Sequence, residues 1–93
     1  MIQRFCFAKL RDHHAASRAE LVEALRAELT AAGADAVVGL PADASAAKWD
    51  LSIVITAASL EAWRALAAQP AMIGVLDQLA ARCEVVKAWT FAS

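Results

Sequence analysis

Few side chains in this sequence are equipped for chemistry, and they are scattered. Arg4 and Cys6 stand two residues apart in an apolar opening segment, MIQRFCFAKL. Residues at that spacing share one face of an extended chain. A guanidinium in a partly apolar cleft suits a carboxylate or phenolate ligand. Its ordinary structural use is an ion pair with an acidic neighbour, or a reach to solvent at a strand end. His13 and His14 are adjacent in a polar connector. Imidazole titrates near neutral pH, which suits a pocket rim or an acid–base role. Adjacent histidines rarely chelate one metal from a regular element, and no Cys/His/carboxylate cluster accompanies them, so a surface loop is the ordinary reading and no metal site is expected. Trp49, Trp63 and Trp89, with Met72 and Phe91, are the raw material of an aromatic pocket wall or of plain packing. Cys6 and Cys83 lie in apolar contexts that favour inert thiols. Asp50 and Ser52 fit strand-edge or capping roles. There is no phosphate loop, CxxC pair or Ser-His-Asp arrangement. The candidate ligand-binding set is therefore Arg4, Cys6, Trp49, Ile53, Trp63, Met72 and Trp89. No catalytic residue is assigned, and no cofactor is expected.

The chain that must position them has 93 residues, which makes a single domain over 1–93 the expectation. It is rich in apolar residues, at 60%, with a mean hydropathy of +0.47. A domain this small buries only roughly 60–65% of its unfolded surface. More apolar surface exists than one copy can hide, which points to self-association. Net charge is −1 with no basic cluster in the sequence, so no nucleic-acid partner is expected. Arg4, Lys9 and Arg11 interrupt any signal-like apolar run, and no run approaches the length of a membrane span. Two cysteines are too few for a disulfide framework, so a reduced, cytoplasmic protein is expected.

Periodicity divides the chain into six units. Residues 2–10 read as a strand with Phe5 and Phe7 on one face and Arg4, Cys6 and Ala8 on the other. Ser17 and Glu20 match a capping box, so a helix is expected over 17–32, ending at Gly33. A short strand follows at 34–41, with Gly39 marking a bulge and Pro41 ending it. After a mobile loop at 42–48, residues 49–57 read as a strand in which Trp49, Leu51, Ile53 and Ile55 share a face. Ser59 is a plausible N-cap for a helix over 60–68, and Pro70 restarts it over 70–82. Gly74 lowers helix propensity and suits a close approach. Residues 83–91 form the last strand.

This order, βαββαβ, gives an α+β, ferredoxin-like fold: a four-stranded antiparallel sheet with the helices on one face. The other face should be polar in a monomer. Here every long strand carries apolar residues on both sides: Val54 opposes Leu51, Ile53 and Ile55, while Val85, Trp89 and Phe91 oppose Val86 and Ala88. Two such sheets packed face to face would keep these groups from water, so a homodimer with a barrel-like interior is expected.

The opening MIQRFCFAKL, the stretch WDLSIVITAASLEAW and the segment AAQPAM together resemble the stress-responsive A/B barrel (Dabb) family of dimeric α/β barrels. That family typically has an MIxHxVxFKL-like strand, a YDLxLVxxFxSLEAL pattern and an HPxH segment, and the likeness spans nearly the whole chain. The resemblance implies a dimeric α/β barrel. Family members that cyclise polyketides use histidines from the first strand and the HPxH segment, and a tyrosine before it. At those positions this sequence holds Arg4, Gln69, Met72 and Leu66. The function expected is binding of a small apolar or aromatic molecule in a cleft between sheet and helices. The alternative is a cofactor-independent enzyme, monooxygenase- or cyclase-like, for which Arg4, His13 and Trp63 would be the residues to change.

Overall fold

The computed structural model describes residues 1–12 and 14–93. The elements run β1 (Ile2–Leu10), α1 (Ala15–Ala31), β2 (Asp35–Gly39), β3 (Leu51–Ala57), α2 (Leu60–Ala67), α3 (Pro70–Arg82) and β4 (Cys83–Ala92), with a short 3-10 turn at Ala44–Ala46. The four strands form one antiparallel sheet in the order β2-β3-β1-β4. This is the ferredoxin-like βαββαβ arrangement expected from the strand and helix periods, with the second helical unit broken in two.

Alternation along β1 sends Ile2, Cys6, Ala8 and Leu10 beneath the helices. Leu51, Ile53 and Ile55 of β3 lie on the same side, all at most 1% exposed. Leu21, Val22, Leu25 and Leu29 of α1 and Met72, Val75 and Leu79 of α3 close over them as one core. Fully burying such aliphatic side chains contributes about 1.5–3 kcal/mol each. Ser59 caps α2 by accepting a bond from the Ala62 amide at 3.0 Å. Pro70 occupies the first turn of α3, and Gln69 is extended before it, as proline requires.

Four local expectations are corrected. The first helix starts at Ala15, and Ser17 lies inside it rather than at the cap. Asp12 accepts a bond from the His14 amide at 3.0 Å, forming a turn that launches the helix two residues early. The bond from that amide, aided by the Ser17 hydroxyl, holds the Asp12 carboxyl below the usual carboxylate range. Second, Trp49 precedes β3. Its amide donates to the Ala46 carbonyl at 3.0 Å, closing the 3-10 turn, so strand pairing begins two residues later. Its ring lies on Phe7, on the face opposite Leu51, Ile53 and Ile55. Third, Gly39 pairs in register with Ser52, and the register shift in the sheet falls between Lys9 and Leu10. A Cβ at Gly39 would stand 2.9 Å from Ser52 Oγ, so close approach explains this glycine. Fourth, nothing lies near a Cβ built at Gly74, so no close approach occurs there.

The face away from the helices is left open. It presents Phe5 and Phe7 from β1, Val54 from β3, and Val85, Trp89 and Phe91 from β4. Trp89 is 47% exposed, Phe91 59% and, on the edge strand β2, Val37 67%. No helix among the described residues is long and apolar enough to cross a membrane.

Candidate functional site

A cleft of about 190 Å³ opens between the β1–β4 side of the sheet and helices α2 and α3. Arg4 and Cys6 of β1, Val86 and Ala88 of β4, Trp63 of α2, and Leu76, Leu79 and Ala80 of α3 line it. Arg4 is the one charged side chain in this lining. It is partly buried, and its position follows from strand alternation: Ile2, Cys6 and Ala8 on the same face are buried in the core.

Two neighbours hold the guanidinium. Thr90 lies directly across from Arg4 in the β1–β4 register, and its Oγ1 accepts a bond from Arg4 Nη1 at 2.9 Å. The guanidinium carbon also sits 5.6 Å from the Trp63 ring centroid, within cation–π range. Among the described residues no carboxylate forms a salt bridge with Arg4, whereas Arg18 pairs with Asp50 and Arg26 with Glu23. Cys6 beside it is a free, buried thiol. Burial pushes its pKa up, and the nearby Arg4 offsets that only in part. The cleft thus offers a braced cation with N–H donors to spare, a neutral thiol and a mostly apolar wall. Such a set recognises an anionic group attached to an apolar or aromatic body.

The seven residues singled out in the sequence fall into three places. Arg4, Cys6 and Trp63 converge on this cleft. Ile53 and Met72 are fully buried in the core. Trp49 and Trp89 lie on the open face, each packed on Phe7 at 5.8 and 5.9 Å between ring centroids. His14 is exposed beside Asp12, and His13 lies outside the described residues. Asp50 is buried and tied to β1: its carboxylate accepts a bond from the Leu10 amide at 2.7 Å, and Arg18 Nη1 lies 3.4 Å away. Thr90 was not among the candidates. Its role follows from strand pairing, which residue type alone does not announce.

The overall arrangement has solved counterparts. A Dabb family protein with a ferredoxin-like fold from Mesorhizobium loti superposes with a TM-score of 0.81 at 12% identity, covering 99% of this chain and 95% of the other. This chain shares that ferredoxin-like fold. A dimeric ferredoxin-like protein of unknown function from Thermobifida fusca gives a TM-score of 0.78 at 17% identity, covering 99% and 90%. SnoaB, a cofactor-independent oxygenase from Streptomyces nogalater, gives 0.73 at 13% identity, covering 99% and 91%. At these identities the likeness to the Dabb protein and to the others is one of fold. No protein-family model and no curated protein sequence matches the chain.

Proposed function

We propose that this chain works as a Dabb-type homodimer that binds a small aromatic or apolar molecule bearing an acidic group in the sheet–helix cleft. The observation that carries the reading is Arg4: a cation set in an apolar lining, braced by Thr90 and Trp63 and joined to no carboxylate among the described residues. The size fits. A dry cavity of roughly 150 Å³ accommodates benzene, so a space of about 190 Å³ suits a single substituted ring. The dimeric character of the Thermobifida protein and the exposed aromatic face support self-association. The two free, buried cysteines suit a reducing, cytoplasmic setting. Of the cleft side chains only Arg4 and Cys6 ionise, and the raised Cys6 thiol is a poor proton acceptor near neutral pH. That favours binding over the oxygenase- or cyclase-like alternative, which rests on fold.

Calorimetric titration with benzoate, and with toluene as the uncharged counterpart, tests this. Benzoate should bind, and Arg4→Ala should weaken it at least ~10-fold, the scale of one charge-assisted hydrogen bond. Arg4→Lys should recover only part, because an ammonium lacks the planar fork. Equal benzoate affinity in Arg4→Ala protein that unfolds in urea like the parent would refute the reading.

A further inference from the structure

All three lysines of the chain gather at one place that the cleft does not use. Lys9, Lys48 and Lys87 line a depression of about 530 Å³ on the open face, with Trp49, Val85 and Trp89 as its remaining walls. Lys9 stands across from Val85 and Lys87 across from Phe7 in the β1–β4 register. The two lysines are thus diagonal neighbours on one face, a relation that places residues roughly 7–8 Å apart. Lys48 arrives from the loop before β3, its ammonium 5.8 Å from the Trp49 ring centroid. Phe7 packs against both tryptophans and fixes their spacing. None of the three lysines takes part in a salt bridge among the described residues. Like charges gathered on one sheet face repel one another when nothing neutralises them. An anion in the depression would remove that repulsion, and the indole faces offer a stacking surface beside it.

We propose that this depression binds a small aromatic anion carrying two negative charges. Its ring lies against Trp49 and Trp89, and its charged groups lie among Lys9, Lys48 and Lys87. Phosphate and paired carboxylates share the required chemistry. The site is on the opposite side of the sheet from Arg4 and does not depend on what the cleft binds. The depression borders the apolar part of the face around Phe5 and Phe91, which the proposed dimer buries, and shares Trp89 with it.

Calorimetry with phenyl phosphate, phthalate, inorganic phosphate and benzoate tests the proposal on the full chain, on Arg4→Ala and on the Lys9→Gln/Lys87→Gln double variant. Phenyl phosphate or phthalate should still bind Arg4→Ala, in which the cleft has lost its cation, and whichever binds that variant more tightly identifies the charged group. Affinity should fall at least ~10-fold in the double variant and should weaken with added salt. Inorganic phosphate, which has no ring, and benzoate, with one charge, should bind the Arg4→Ala protein at least ~10-fold more weakly than the better aromatic dianion. Unchanged affinity in the double variant, parity between inorganic phosphate and phenyl phosphate, or no heat from either dianion at millimolar concentration would each overturn it. So would a double variant that loses dimer mass in light scattering while the parent ignores both dianions, since the lysines would then be serving carboxylates of a second copy.

Discussion

At the scale of single residues, the interior holds ionisable groups in two ways. Asp50 is tied down by the Leu10 amide and Arg18, so its charge is compensated within the core. Arg4 is held by a hydroxyl and an indole, which orient it without neutralising it. The thiols respond to burial. Both Cys6 and Cys83 are raised above the ordinary 9.0, desolvation being the main cause in each, with Asp50 adding to the rise at Cys83 and Arg4 opposing it at Cys6. An acid whose folded pKa is raised keeps its proton longer in the folded state than in the unfolded one. Its stabilising effect is therefore full below the unfolded pKa and is lost as pH rises beyond it. Urea unfolding from about pH 8 to about pH 10, the range spanning an ordinary thiol's titration, should show declining stability. A Cys6→Ala/Cys83→Ala protein should decline less, and an equal decline would disprove the assignment. Arg4 was readable in the sequence because a cation interrupts an otherwise apolar strand face. The lysine cluster was not, because Lys9, Lys48 and Lys87 are far apart in the chain and meet only through strand register and a loop.

At the scale of elements, signals that act within a few residues were readable. Ser59 and Pro70 fix the starts of α2 and α3, and α1 buries Leu21, Val22, Leu25 and Leu29, which recur at helical spacing. Starts set by a neighbour outside the element were missed. The turn at Asp12 moves the α1 start, and the Ala46 carbonyl delays β3 by engaging Trp49. A delay of that kind matters for the side chain: it frees Trp49 from the alternation and places it with Phe7. Ser59→Ala should lower unfolding free energy by about 1 kcal/mol, the usual loss for an N-cap, as measured by urea titration. No change would mean that the cap bond to Ala62 contributes nothing, and α2 would then be held by the packing of Trp63, Leu66 and Ala67 on the core.

At the scale of the molecule, the apolar content of the sequence forecast an unpartnered sheet face, and the structure displays it around Phe5, Phe7, Trp89 and Phe91. Replacing exposed Phe91 by glutamate spares the core and puts a charge on that face. Light scattering at micromolar protein should give a dimer for the parent and a monomer for Phe91→Glu with unchanged far-UV circular dichroism. A monomeric parent would sink the dimer reading. The topology has a further effect, on the timing of folding. The strand made first, β1, is an inner strand of the sheet, and both of its neighbours, β3 and β4, come later in the sequence. While the chain is being synthesised, β1 has no pairing partner until β3 emerges, and its second edge stays bare until Cys83–Ala92 has left the ribosome. Such non-local pairing is slow to form and exposes strand edges while it waits. The sheet, and with it the cleft behind Arg4 and Thr90, is therefore completed only after synthesis has passed β4.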